Sequence, residues 1–333
     1  MNVAVVGASG LVGRELLGAL KRRHFPASSV AAYSSSGGTL NVDGTEYRVN
    51  RLRHGCFVGV DVAFFATPTH VSIEYAPEAA ECGAVVIDKS GAFRSDPAIP
   101  LVVPEVNAHA LEPHANIVSS PNCCTIQLVM ALWPLASRAT LKRIVVCTYQ
   151  SVSGTGKHAV EELDSQIRSN AEAKALSVSV YPHVIADNLF PHIDGFGNDG
   201  YSGEETKIIR ETRRILGIPD LRVTCTCVRV PVTLGHAMAV MVETEPAIDV
   251  EAARSCLLSA PGVRVCDEPC AGVYPTPRGC RGSDEVWVGR LRSDSSSENG
   301  LWLWVVADNL RRGAALNAVL IAECLIARKL ARG

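Results

Sequence analysis

No apolar run in this chain approaches the roughly 18 residues that a membrane-spanning helix needs, which argues against a helical membrane protein. Charge of one sign is missing as well. The 32 Lys and Arg face 34 Asp and Glu, a formal net charge of −2. Bulk electrostatics therefore point neither to nucleic acid nor to an anionic membrane, and any anion site has to be local. The N-terminus lacks the basic segment and cleavage site of a secretory leader, because Met1 to Gly7 runs directly into an apolar, strand-like stretch. The expected location is the cytoplasm. Repeats are absent, and low complexity is confined to Ser34 to Gly38 and Asp294 to Ser297, which read as loops.

What the chain does have is length and an ordinary globular balance. Its 333 residues, 47% apolar and 20% charged, suffice for two domains with a sizeable core. The 12 cysteines are many for a cytosolic chain, where buried free thiols are the expected state. Cys147 lies in an apolar run. Cys225 and Cys227 are two apart in a strand-like segment and so share one sheet face. Cys266, Cys270 and Cys280 lack a convincing fourth ligand, and no metal site is expected.

Up to about residue 120, short apolar runs alternate with helical segments. Val3 to Val6, Val60 to Phe65 and Ala84 to Ile87 read as strands, with Gly10 to Lys21 and Ile73 to Cys82 as helices. That rhythm implies right-handed crossovers and a parallel sheet. From about residue 140 the strands are longer: Leu141 to Tyr149, Leu221 to Pro231, Met238 to Glu243 and Val286 to Arg290. Helical segments near 157–173 and 203–216 interrupt them. This second part reads as an α+β domain with a more antiparallel, mixed sheet. A last helical stretch near 311–331 ends in Arg328-Lys329-Leu330-Ala331-Arg332, which suits a helix C-terminus.

The first strand runs into Gly7-Ala8-Ser9-Gly10-Leu11-Val12-Gly13. Gly7 and Gly10 permit a tight turn and close approach of backbone to a phosphate, Gly13 permits helix–strand packing, and the helix N–H groups face the anion. A glycine pattern alone also fits a plain tight turn, but its place at the strand-to-helix junction favours a dinucleotide. At the end of the second strand, Ala31-Ala32-Tyr33-Ser34-Ser35-Ser36-Gly37-Gly38 contains no acidic residue to hold a ribose hydroxyl. The hydroxyls of Ser35 and Ser36 suit a 2′-phosphate, so NADP is favoured over NAD, with NAD use left open.

Ser120-Pro121-Asn122-Cys123-Cys124-Thr125 follows the strand-like Asn116 to Val118 and precedes an apolar helix. A thiol at a helix N-terminus gains thiolate character from the dipole, and the same N–H groups stabilise an oxyanion. Two small core residues are the competing interpretation.

These motifs together resemble the aspartate-semialdehyde dehydrogenase family, in its shorter form. Pro121-Asn122-Cys123 resembles the nucleophile motif, with Cys124 where Ser is usual. The similarity continues through Ala92-Phe93-Arg94, Tyr149-Gln150-Ser151-Val152-Ser153-Gly154, Tyr181-Pro182-His183, Val228-Arg229-Val230-Pro231, Gly235-His236 and Ala307-Asp308-Asn309-Leu310. The resemblance implies a Rossmann-type parallel-sheet domain over 1–121, completed by a C-terminal helix at 310–333. A catalytic and dimerisation domain of α+β type would occupy 122–309. It makes Cys123 the nucleophile and His236 the acid/base. Substrate contacts fall to Gln150, Arg229 (the α-carboxylate), Glu204 (the amino group), Arg94 and Lys207 (phosphate) and Asn122. Cofactor contacts fall to Gly7, Ser9, Gly10, Leu11, Val12, Gly13, Ser35, Ser36, Ser153, Gly154 and Asn309. The implied reaction is NADP(H)-dependent interconversion of aspartyl phosphate and aspartate semialdehyde through a thioester. It serves lysine (through diaminopimelate), threonine and methionine biosynthesis, and the implied assembly is a homodimer with small-molecule partners only. The sequence departs from the family pattern at Ala66 to His70, Lys89, Ser35 and Ala237. N-acetyl-γ-glutamyl-phosphate reductase, which shares the chemistry, usually has Pro-Gly-Cys-Tyr-Pro at the nucleophile, and that motif is missing here.

Overall fold

Short strands that are apolar on both faces need cover on both sides, and alternating helices supply it. The computed structural model describes residues 1–111 and 116–332, with side chains to residue 328. The basic run Lys329 to Arg332 therefore lies outside the described side chains. The chain divides into two compact units, Met1–Asn122 with Gly313–Gly333, and Cys123–Arg312.

The first unit contains β1 (Asn2–Val6), α1 (Leu11–Arg22), β2 (Ser29–Ser34), β3 (Gly38–Val42), β4 (Thr45–Arg51), β5 (Val62–Phe65), α2 (Thr69–Glu81), β6 (Val85–Asp88), α3 (Pro104–Asn107) and β7 (Ile117–Ser119). Its sheet runs β3-β4-β2-β1-β5-β6-β7, parallel except for the β3–β4 hairpin. Successive side chains divide between the faces. Val3, Val5, Phe64 and Ile87 pack with Leu16 and Leu17 of α1. Ala4, Val6, Phe65 and Val86 pack with Ala76 and Ala79 of α2. After β1 the chain turns to β2 on one side, and β5 takes the other, which creates the switch point where α/β sheets bind ligands.

The hairpin departs from the expected loop at Ser34 to Gly38: Ser34 ends β2 and Gly38 opens β3. Asp43 (φ 49°) and Gly44 (φ 76°) make its turn, and Asp-Gly is a strong hairpin signal.

The second unit contains α4 (Cys123–Ala136), β8 (Thr140–Gln150), α5 (Lys157–Ala171), α6 (Gly203–Leu216), β9 (Arg222–Arg229), β10 (His236–Glu245), α7 (Val250–Leu258), β11 (Val263–Val265), β12 (Val286–Ser293) and β13 (Gly300–Ala307). The sheet order is β11-β12-β13-β10-β8-β9. The β8–β9 and β11–β12 pairs are parallel and the others antiparallel, so the sheet is mixed. Helix α4, buried along almost its whole length, packs on β8, β12 and β13 and against α6 and α7. Sequence rhythm suggests one helical stretch over 311–331. Instead a π-helical turn at Arg311–Ala315 precedes α8 (Leu316–Arg332). Helix α8 belongs to the first unit, where Ala318, Val319, Ile321 and Ala322 join the core cluster of α1. Among the described residues no helix is long and apolar enough to cross a membrane.

Candidate active site

Strand β8 alternates down its length, with Ile144, Val146, Thr148 and Gln150 buried. The period of two therefore delivers Gln150, its last residue, to the buried face. Parallel pairing sets Gln150 opposite Arg229, the last residue of β9. His236 opens the neighbouring antiparallel strand β10, and its pairing with Ala307 brings the end of β13 alongside. One end of this sheet therefore collects residues far apart in sequence. The N-terminus of α4 adds Cys123 and Cys124: their sulphurs and a ring nitrogen of His236 lie within 4.8 Å of one another.

The His236 ring is fully buried. The backbone N–H of Ser151 donates to its Nδ1 at 3.0 Å, and the Ser151 hydroxyl lies 3.0 Å from the same nitrogen. Because Nδ1 accepts, the neutral ring carries its proton on Nε2. Nε2 is buried and has no hydrogen-bond partner among the described residues. A metal-bound imidazole donates through its second nitrogen, whereas here that nitrogen accepts. The Cys-Cys-His cluster is accordingly arranged as a thiol pair beside a proton donor.

Two glycines shape the imidazole's setting. Gly235 has φ 96°, and a Cβ there would meet the Pro277 carbonyl oxygen at 2.8 Å; its N–H donates to Asn309 Oδ1 at 2.8 Å. A Cβ on Gly154 would lie 3.1 Å from Cε1 and Nε2 of His236 and 3.4 Å from Nη1 of Arg229. The imidazole would have to shift by a few tenths of an ångström, whereas the guanidinium would be in ordinary contact. We expect Gly154→Ala to lower kcat/KM by about tenfold to a hundredfold through misplacement of the imidazole. Thermal unfolding of the variant should change little; parent-like turnover would remove the steric argument.

Arg229 is buried and donates from Nη1 to the Ser151 carbonyl at 2.6 Å, while its Nε has no partner among the described residues. Its guanidinium carbon sits 5.8 Å from the Tyr181 ring centroid. Burial raises the Tyr181 hydroxyl above its ordinary range, against the lowering effect of Arg229. Glu204 is held in the first turn of α6, where Ser202 and Glu205 form a reciprocal capping box. The buried Glu204 accepts from Gln150 Nε2 at 3.2 Å. Lys207 lies 3.7 Å from Glu204 on the same helix face and is also ion-paired with Asp194. Asn309 accepts from the Ser151 hydroxyl at 3.1 Å and donates to Ser153 Oγ at 3.0 Å.

The two thiols are not equivalent. Cys124 is fully buried, and burial, followed by the hydrogen bond with the Cys123 side chain, raises its thiol well above the ordinary range. Cys123 is part-exposed. Elsewhere Cys225 and Cys227 do share a face, with sulphurs 3.6 Å apart, and their mutual hydrogen bond and burial push Cys225 up. Burial also pushes Cys280 up to about 12.

Residues 2–114 match the model of the semialdehyde dehydrogenase NAD-binding domain, and residues 132–312 match that of the semialdehyde dehydrogenase dimerisation domain. The aspartate-semialdehyde dehydrogenase of Aquifex aeolicus is 47% identical over 332 residues, covering 98% of each chain. The Bacillus subtilis enzyme of that name is 43% identical, covering 98% of this chain and 97% of its own. Among solved structures, aspartate-semialdehyde dehydrogenase II of Vibrio cholerae complexed with ASA superposes with a TM-score of 0.94 at 42% identity, covering 98% of each chain. The chain belongs to the aspartate-semialdehyde dehydrogenase family.

Members of the aspartate-semialdehyde dehydrogenase family are oxidoreductases with a nicotinamide-binding domain, and the first unit has the backbone for one. Gly7 has φ 84°, and a Cβ there would lie 2.2 Å from the Ala66 carbonyl oxygen. A Cβ on Gly13 would lie 2.1 Å from the Gly7 carbonyl oxygen, so the turn closes only without side chains. Gly10 is the N-cap of α1, and no side chain caps the helix. A helix start of this kind is suited to receive an anion. Ser9, Leu11 and Val12 complete that turn, while Ser35 and Ser36 occupy the turn between β2 and β3. Also in this unit, Arg94 donates to the Lys89 carbonyl at 2.6 Å, and Asn122 is buried at the unit's end.

Sequence reasoning missed Ser151 and gave no role to Gly235. The signals were present: Ser151 follows the inward-facing Gln150, and a glycine before a buried strand-opening histidine marks a close backbone approach.

Proposed function

We propose that this chain is an aspartate-semialdehyde dehydrogenase that interconverts L-aspartyl-4-phosphate and L-aspartate-4-semialdehyde through a thioester on Cys123, with NADP(H) as the preferred cofactor. The observation that carries this reading is the convergence of four unlike groups at one end of the second unit's sheet. They are a thiol at a helix N-terminus, an imidazole, a guanidinium and a carboxylate. The last two suit the two charges of an α-amino acid, and the first two suit its acyl carbon.

Arg229 takes the α-carboxylate, using the guanidinium nitrogens not given to Ser151. Glu204 takes the ammonium group, and Gln150, bonded to it, orients the substrate beside the thiol. Arg94, Lys207 and Asn122 serve the phosphate. In the biosynthetic direction the Cys123 thiolate attacks the acyl carbon, the bond to the phosphate oxygen breaks, and inorganic phosphate leaves behind a thioester. The N–H groups at the start of α4 stabilise the oxyanion. The bound nicotinamide supplies hydride, with Gly7, Ser9, Gly10, Leu11, Val12, Gly13, Ser35 and Ser36 of the first unit and Ser153, Gly154 and Asn309 of the second assigned to the cofactor. His236 gives a proton from Nε2 to the resulting alkoxide, and takes the hydroxyl proton when the carbon–sulphur bond breaks and the thiolate leaves. The reading includes a homodimer formed through the second unit and a place in the synthesis of aspartate-derived amino acids.

The test is a steady-state assay of the full chain with aspartate semialdehyde, inorganic phosphate and either NADP or NAD, beside a parallel assay with N-acetylglutamate semialdehyde. Expected are phosphate-dependent turnover of aspartate semialdehyde, a preference for NADP, and poor use of the acetylated analogue, which has no ammonium for Glu204. Absence of aspartate semialdehyde turnover would overturn the reading.

A further inference from the structure

Ser151 meets the proposed machinery with three of its own atoms. Its backbone N–H and its hydroxyl both reach His236 Nδ1 at 3.0 Å, and its carbonyl accepts from Arg229 at 2.6 Å. The hydroxyl also lies 3.1 Å from Asn309 Oδ1 and 3.1 Å from Ser153 Oγ. The residue is fully buried, and its carbonyl also accepts from the Gly154 N–H at 3.2 Å.

The two contacts at Nδ1 have opposite chemical preferences. A backbone N–H can only donate, so it favours the ring form with an unprotonated Nδ1 and a proton on Nε2. A base that takes a proton at Nε2 must have Nδ1 protonated, and that Nδ1–H needs an acceptor. Asn309 Oδ1 accepts and cannot rotate away, since Gly235 N–H and the Ser153 contact with Nδ2 hold the amide. The hydroxyl of Ser151 is the one group at Nδ1 able both to donate and to accept.

We infer that Ser151 is a positioning residue whose hydroxyl rotates with the protonation state of His236. It accepts from Nδ1–H when the ring holds that proton, and then directs its own proton to Asn309 Oδ1. No covalent bond forms or breaks; one hydrogen bond reverses direction. The device lets one imidazole serve as both donor and base, and it rests on the functional reading given above. The titratable or charged groups around the ring are Cys123 and Cys124 of α4, whose sulphurs lie within 4.8 Å of one ring nitrogen, and Arg229 at the end of β9.

The test uses Ser151→Ala, with Ser151→Thr as the conservative variant. Removing the acceptor disfavours the doubly protonated ring, so the imidazole limb of the kcat/KM–pH profile should move to lower pH by about half a unit or more. Turnover near neutral pH should fall about three- to tenfold. The Thr variant should restore the parent limb. In parallel, ¹⁵N-histidine spectra of the full chain, with the His236 signals assigned by their loss in His236→Asn, should show the same displacement without any substrate. Should Ser151→Ala fail to fold, Ser151→Cys keeps the volume while weakening the acceptor, and the same displacement is expected. Identical ¹⁵N titrations of parent and Ala or Cys variants would overturn the inference. A parent that titrates as described yet turns over no aspartate semialdehyde would overturn the functional reading alone.

Discussion

Cys123→Ser is expected to abolish turnover, with kcat reduced on the order of 10⁴-fold or more, because a serine hydroxyl ionises far less readily than a thiol and an alkoxide is a much poorer leaving group than a thiolate. Binding of the dinucleotide, measured by fluorescence or calorimetry, should stay unchanged, since the glycine turn lies in the other unit. The adjacent thiol provides the control. Cys124 is fully buried, and its raised thiol stays protonated near neutral pH, so Cys124→Ser should keep most of the activity. An inactive Cys124→Ser paired with an active Cys123→Ser would reverse the assignment. Intact-protein mass after substrate is mixed with cofactor and no phosphate should also show an acyl adduct on the parent and none on Cys123→Ser.

His236→Asn should cost about 10²- to 10⁴-fold in kcat, the usual contribution of a positioned acid/base. Asparagine is chosen because its amide fits the buried site and keeps a polar atom near the Ser151 N–H. The loss should appear in kcat more than in KM, since Arg229 and Glu204 remain to hold the substrate's charged ends. Alkylation of Cys123 by iodoacetamide gives a second readout: without the imidazole its rate should change its dependence on pH, which simple unfolding would not produce. Equal kcat in variant and parent would exclude His236 from proton transfer.

Much of this site was legible in one dimension. Alternation along β8 and β9 settles which residues face inward, so the burial of Gln150 and Arg229 follows from counting by twos. The switch from a polar loop to an apolar helix at Cys123 marks a helix start, and α4 begins there. Other features had no such trace. Ser151 and His236 are 85 residues apart, and only the register of β8 against β10 brings them together. The pairing of Lys207 with Asp194 depends on an irregular segment that no periodicity describes. The β3–β4 hairpin differs: its Asp43-Gly44 turn was readable, but the Ser/Gly run before it suggested a longer loop. At the other end of the chain, the π-helical turn of Arg311–Ala315 interrupts a segment whose apolar spacing reads as one helix.

The late return of α8 has a consequence for how the molecule is made. The first unit is built from two separated stretches, and α8, from the second of them, joins α1 in covering one face of its sheet. Lys89 ties the two passages together, its ammonium donating to the carbonyls of Pro121 and Gly313 at 3.1 Å each. The second unit is one unbroken stretch that lies between them in the sequence and has all its own strands before α8 is made. Domains built from contiguous chain fold as they emerge, so the later-made unit should mature first. The core of the first unit, where Ala318, Val319, Ile321 and Ala322 join Val5, Phe64, Ile87 and the residues of α1, is complete only once α8 has been added.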